Sequence, residues 1–109
     1  MSVTEHTVQT ASREANKLDM VAAVADGEKF ANTGVEKILI QNDNVASVTV
    51  TVQTPATADE LAIADREIVI PAGEIHYLGP WPTKWYNDAN GFVNFACSPY
   101  ADVSLGVIK

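Results

Sequence analysis

Ser47-Val48-Thr49-Val50-Thr51-Val52-Gln53-Thr54 alternates with a period of two, with Val48, Val50 and Val52 on one face and Thr49, Thr51 and Gln53 on the other. This is the pattern of a β-strand with one face buried and one wet. β-Branched residues on both faces add strand propensity. Pro55 closes the stretch downstream, and Asn42-Asp43-Asn44 marks a turn upstream, since Asn and Asp bond locally to backbone.

The same grammar extends in both directions. Val35–Gln41 (VEKILIQ), Ile63–Ile70 (interrupted at Asp65-Arg66), Glu74–Leu78, Phe92–Ser98 and Val103–Ile108 read as further strands. Pro71-Ala72-Gly73 reads as a turn that returns Glu74–Leu78 on the preceding strand as a hairpin. Pro55 and ATADEL form a loop, Pro99-Tyr100 a turn, and the prolines of Gly79-Pro80-Trp81-Pro82 impose an irregular stretch. Leu18–Val24 (LDMVAAV) is apolar enough to pack, as a strand or a helical turn, and Asp26-Gly27 ends it. With turn signals every ~8–12 residues and no sustained helical stripe, the pattern predicts an all-β antiparallel sandwich or jelly roll of about six to eight short strands. Residues 1–17 carry no apolar period. Ala11, Ala15 and the Glu14/Lys17 spacing suit a short helix, but the stretch reads as an extended N-terminal arm ahead of one sandwich domain, residues 18–109.

A chain of 109 residues accommodates one core. Its 47% hydrophobic content is that of a globular protein, while only 19% of residues are charged. The net charge is −7, and the basic residues Arg13, Lys17, Lys29, Lys37, Arg66, Lys84 and Lys109 are scattered, which argues against nucleic-acid binding. No apolar run approaches the ~20 residues of a membrane span, and MSVTEHTVQTASREANK lacks the layout of a secretory signal. These features place synthesis in a cytoplasm.

Chemistry finds little support. Cys97, the only cysteine, is in step with Val93 and Phe95 and reads as a buried thiol. His6 lies on the arm, and His76 alternates with Ile75 and Tyr77, which predicts a solvent-facing ring. Neither has an evident nucleophile to serve. The carboxylate pairs Asp59-Glu60 and Asp65/Glu67 are explained by a loop and a solvated strand face. Asn42-Asp43-Asn44 lacks the ligand spacing of a calcium loop, and the glycines form no phosphate-binding pattern. The expectation is no catalytic residue, no cofactor and no metal. The informative cluster is aromatic: Trp81, Trp85 and Tyr86 sit in one short segment, as a protein-binding hot spot, a stacking platform for sugars, or a plug across the open end of the sandwich. Together with Val3, His6, Val8 and Arg13 of the arm, they are the candidate protein-interface residues.

Phe30-Ala31-Asn32-Thr33-Gly34, Leu39-Ile40-Gln41-Asn42, Val48–Pro55, Leu61-Ala62-Ile63-Ala64-Asp65, Ile70-Pro71-Ala72-Gly73, Leu78-Gly79-Pro80, Tyr86-Asn87 and Val103-Ser104-Leu105-Gly106-Val107 occur in this order. Together they resemble small virion proteins of tailed bacteriophages, in particular head decoration (cement) proteins. The resemblance spans about residues 30–108 and carries no catalytic residues. It implies a homo-oligomer, with a trimer favoured, that binds the major capsid protein on the outer capsid surface at subunit junctions and stabilises the head. A head–tail connector or tail component of the same virion, and a glycan-binding module using Trp81, Trp85 and Tyr86, are the alternatives.

Overall fold

The computed structural model describes residues 3–14, 17–58 and 60–109. Twelve short strands and one helical turn occur among them: β1 Thr4–His6, β2 Val8–Gln9, β3 Val21–Ala22, β4 Glu28–Ala31, β5 Lys37–Asn42, β6 Val48–Val52, β7 Thr57–Ala58, β8 Leu61–Ala62, β9 Arg66–Ile70, β10 Ile75–Leu78, α1 Thr83–Tyr86, β11 Phe92–Ser98 and β12 Val103–Ile108. Ten of the strands form two five-stranded sheets, and β7 and β8 form a two-stranded one. The first has the order β1-β4-β11-β6-β9; the second has β10-β5-β12-β2, with β3 also paired to β12. The two sheets share one core.

The period-two reading of β6 holds. Val48, Val50 and Val52 are fully buried and Thr49 and Thr51 are not. Ile38 and Ile40 of β5, Phe30 of β4, Val93, Phe95 and Cys97 of β11, and Val103, Leu105 and Val107 of β12 complete the core with Ile70, Ala23 and Trp81. Each fully buried Val, Leu, Ile or Phe contributes about 1.5–3 kcal/mol relative to exposure. The Asn42–Asn44 turn forms as expected, with Asn42 Oδ1 accepting from the Asn44 N–H.

Three expectations are corrected. The N-terminus is not an extended arm: β1 pairs parallel with β4, and β2 pairs parallel with β12. The sandwich is therefore mixed rather than purely antiparallel. The helix reading also fails for residues 11–14, while Ala15 and Asn16, like Met1 and Ser2, lie outside the described residues. Second, β10 does not fold back on β9. It pairs antiparallel with β5 in the other sheet, because Gly73 N donates to Asn42 O (2.8 Å) and Asn42 N donates to Glu74 O (3.0 Å). Third, the loop after Pro55 contains a small hairpin, β7 with β8. LDMVAAV resolves as a strand at β3.

The joint between the sheets is the Asn42 side chain, which is fully buried. Its Nδ2 donates to Ala46 O (3.0 Å), Ile70 O (3.0 Å) and Pro71 O (3.3 Å), so the end of β5 is tied to the end of β9 in the opposite sheet. Gly106 marks another close approach, because a Cβ there would lie 2.9 Å from Asp19 O. The Gln9 side chain clasps that same Asp19 backbone through two 2.8 Å bonds, Nε2 to O and N to Oε1.

Asn42→Ala strands buried carbonyls and is expected to cost about 2–3 kcal/mol, and Gly106→Ala about 1–3 kcal/mol through overpacking. Both appear in urea unfolding as lower midpoints at unchanged slope.

A candidate protein-binding flank

The Trp81–Tyr86 segment is fixed by a network of amides. Asn32, buried at the end of β4, donates through Nδ2 to Trp81 O (2.8 Å) and to Asn87 Oδ1 (2.6 Å). Asn87 Nδ2 donates back to Asn32 O (3.0 Å), and Asn32 Oδ1 accepts from Gly34 N (3.1 Å). Gly79 permits the tight entry to the segment. Its φ is +130°, and a Cβ there would stand 3.0 Å from Glu36 O and 3.2 Å from the Trp81 indole nitrogen.

Two carboxylates brace this scaffold. Glu36 is buried, and burial alone would raise its pKa. Hydrogen bonds from the Thr33 N–H and hydroxyl and from the Val35 N–H outweigh that and hold it below the ordinary 4.5. Asp88 accepts from the N–H groups of Phe92 and Asn90 and from the Asn94 amide, with Lys29 adding attraction, and is held below 3.8 despite partial desolvation.

The aromatic residues divide. Trp81 is 3% exposed and part of the core, with Tyr86 packed edge-on at 5.1 Å between centroids. Trp81 thus fills the plug role. Trp85 on α1 is exposed, with Lys84 Nζ 4.7 Å from its ring centroid. Trp85 and Tyr86 line an open groove of about 580 Å³ with Thr54, Ile63, Asp65 and Arg66. Arg66 and Tyr86 also line a second groove of about 370 Å³, where Ile68 of β9 faces Tyr77 and Leu78 of β10, with Pro80 and Trp81 behind.

This flank lies between β9 and β10, each an edge strand with one neighbour among the described residues. Alternation on β10 runs opposite to the hydropathy expectation. Ile75 and Tyr77 are 60% and 77% exposed, whereas His76 is half-buried on the core side of the strand, its Nε2 2.8 Å from Glu74 Oε1. The register explains this, since His76 and Leu78 pair with the buried Ile40 and Ile38, and Ile75 and Tyr77 with Gln41 and Leu39. Val69 of β9 and Leu61 of β8 are also exposed apolar residues.

The candidate interface residues therefore do not form one site. Val3, His6, Val8 and Arg13 belong to the opposite flank, where β1 and β2 are edge strands. There Val3 and Arg13 are exposed, Val8 packs against the core, and His6 is buried. Tyr77, Ile75, Val69 and Arg66 were not among the candidates. The apolar pair at 75 and 77, astride a histidine that must face a half-polar core edge, is the signal that marks them.

Elsewhere, Cys97 is buried and its thiol is pushed up to about 12 by burial and by the nearby charge of Glu28. Asp65 accepts from Thr54 N (3.0 Å), and Glu67 lies on the outer face of β9; Asp59 is outside the described residues. Among the described residues, no group of three or more His, Cys, Asp or Glu side chains is placed to hold a metal ion, and no helix is long and apolar enough to cross a membrane. No protein-family model, curated protein or solved structure matches the chain.

Both depressed carboxylates contribute stability that is complete above their ordinary values and is lost as pH falls through the lowered ones. Thermal midpoints should therefore drop between pH 5 and pH 3. In Glu36→Gln, the midpoint should be lower at pH 7 and fall less steeply with acid. Asn32→Ala should broaden Trp81 and Trp85 fluorescence and cost about 1–3 kcal/mol.

Proposed function

We propose that this chain is a structural binding protein, a head decoration protein of a tailed bacteriophage that associates with the major capsid protein and stabilises the assembled shell. The virion assignment rests on the resemblance of residues 30–108. The single observation that carries the binding role is the β9–β10 flank. Two edge strands there each have one strand neighbour among the described residues, and Val69, Ile75, Tyr77 and Trp85 stand in solvent beside them. Edge strands are ordinarily blunted against further pairing, and apolar residues concentrated beside an open edge favour contact with another chain. Trp, Tyr and Arg are the residues on which interface energy concentrates.

A cement protein needs no chemistry of its own. It binds a surface that only the assembled shell presents, and so stabilises that state by mass action. In this reading the β9–β10 flank meets either the capsid subunit or the next copy of the chain in a trimer. The acidic balance of −7 suits an outer position remote from packaged nucleic acid. A connector or tail role in the same virion would use the same flank to close a ring.

A glycan-binding reading has one specific observation in its favour: Trp85 and Tyr86 border a groove that also holds Asp65, Arg66 and Glu67. Titration of tryptophan fluorescence with saccharides tests it, and a flat response discards it.

Co-expression with the major capsid protein of the same genome, followed by sedimentation of heads, tests the decoration reading. The chain should co-sediment at a fixed ratio and raise the temperature at which heads rupture. Tyr77→Arg and Trp85→Ala alter exposed side chains, so they should leave the unfolding midpoint nearly unchanged while weakening head association at least ~10-fold, about 1.4 kcal/mol or more. Heads without bound chain, or heads decorated by both variants at full occupancy, reject the proposal.

A further inference from the structure

Residues 3–11 act as a strap across the flank opposite the binding grooves. β1 extends the first sheet through the register Thr4–Glu28, Glu5–Lys29 and His6–Phe30, and Thr4 N donates to Gly27 O (3.1 Å). β2 then joins the second sheet beside Val107 and Ile108, closed by Lys109 N to Gln9 O and Ala11 N to Lys109 O, both 2.9 Å. Each attachment is only two or three residues long. On the second-sheet side Val8 packs against the core and Gln9 clasps Asp19; on the first-sheet side the strap is anchored by His6, buried on the core side of β1.

The surroundings of His6 are unusual. Its ring stacks on Phe95 (centroids 6.4 Å, planes 27° apart), and its Nε2 lies 4.0 Å from Glu28 Oε1. The two side chains are 3% and 0% exposed. Glu28 Oε1 accepts from Val24 N (2.8 Å), but Glu28 Oε2 and His6 Nε2 have no hydrogen-bond partner among the described residues. A separation of 4.0 Å is too long for a hydrogen bond. The other titratable groups nearby are few. β11 contributes Cys97, whose thiol stays protonated. Glu5, on the strap itself, and Asp19 line a cavity of about 300 Å³ beside His6, with Thr4, Thr7 and Gln9. β12 adds only Gly106 and Val107 there.

We infer that His6 is a proton-operated catch that holds the N-terminal strap across both sheets at neutral pH and loosens it on mild acidification, with Glu28 opposing the release. The docked strap favours a neutral imidazole, because an imidazolium against Phe95 in this buried space loses its hydration without a hydrogen bond to replace it, and the attraction of Glu28 at 4.0 Å offsets only part of that loss. Burial accordingly lowers His6 from its ordinary 6.5. A group that binds its proton more weakly when docked favours release as pH falls below the free value. The effect is at most about tenfold per pH unit and ends at the docked value. Glu28 works the other way. Burial raises it above 4.5, partly offset by the Val24 bond, so its protonation favours the docked strap. Glu28→Gln removes that opposing contribution and keeps an acceptor for Val24.

Amide hydrogen exchange of the intact chain, corrected for the intrinsic pH dependence of exchange, tests the catch. Between pH 7.5 and 5.5, protection of the Thr4–Gln9 amides should fall by up to about tenfold while Val48–Val52 in the core stays protected. His6→Phe retains the stack on Phe95 and should abolish the fall. Glu28→Gln retains the imidazole and should show a fall at least as steep as the wild type. Protection that is constant or rises on acidification overturns the inference. So does a fall matched at Val48–Val52, an undiminished fall in His6→Phe, or a shallower one in Glu28→Gln.

Discussion

Mutual burial of two alternating faces is the constraint on which everything else in this molecule depends. Val48, Val50 and Val52 from one sheet, and Ile38, Ile40, Leu105 and Val107 from the other, are withdrawn completely from water into one core. At about 1.5–3 kcal/mol per side chain, this outweighs the individual polar contacts, each worth about 1 kcal/mol net. The polar contacts have a different role. Asn42 sets where β5 and β9 meet across the sheets, Asn32 and Asn87 set where the aromatic segment lies, and Gln9 sets how residue 19 crosses Gly106. Burial gives cohesion, and buried amides give the geometry.

That division explains what could be read in the residues beforehand. β6, β11 and β12 were legible because each is long enough to show its period and each contributes three or more core side chains. The Asn42–Asn44 turn, the Pro71–Gly73 turn and the burial of Cys97 followed from local chemistry alone. The N-terminal strands were not legible, because β1 and β2 turn one side chain each toward the core, His6 and Val8, and two or three residues carry no periodicity. The partner of β10 was hidden for a different reason. A turn signal says that the chain reverses, and only the Asn42 backbone bonds to Gly73 and Glu74 decide that it reverses into the other sheet.

The candidate site was half legible. Composition drew attention to Trp81, Trp85 and Tyr86, but hydropathy does not distinguish a tryptophan that plugs a core from one that faces a partner. Trp81 does the first, and Trp85 stands exposed. Tyr77 and Ile75 escaped notice because alternation was read with the apolar residues inward. The register with Ile38 and Ile40 turns His76 and Leu78 inward instead. The result is a molecule with two unlike flanks. One carries exposed apolar and aromatic residues beside open strand edges; the other is strapped by the N-terminus around a buried histidine. On the proposed binding role, the larger exposed apolar and aromatic side chains of the β9–β10 flank make it the favoured contact surface.

The claim that the β9–β10 flank is the contact surface is tested most directly by comparing amide exchange of the free chain with that of the chain bound to purified heads. Protection should be gained on binding at Arg66–Ile70, Ile75–Leu78 and Thr83–Tyr86, with the outer face at the middle of the first sheet, around Lys29 and Asn94, unchanged. Protection confined to that outer face, or to β1 and β2, would contradict it.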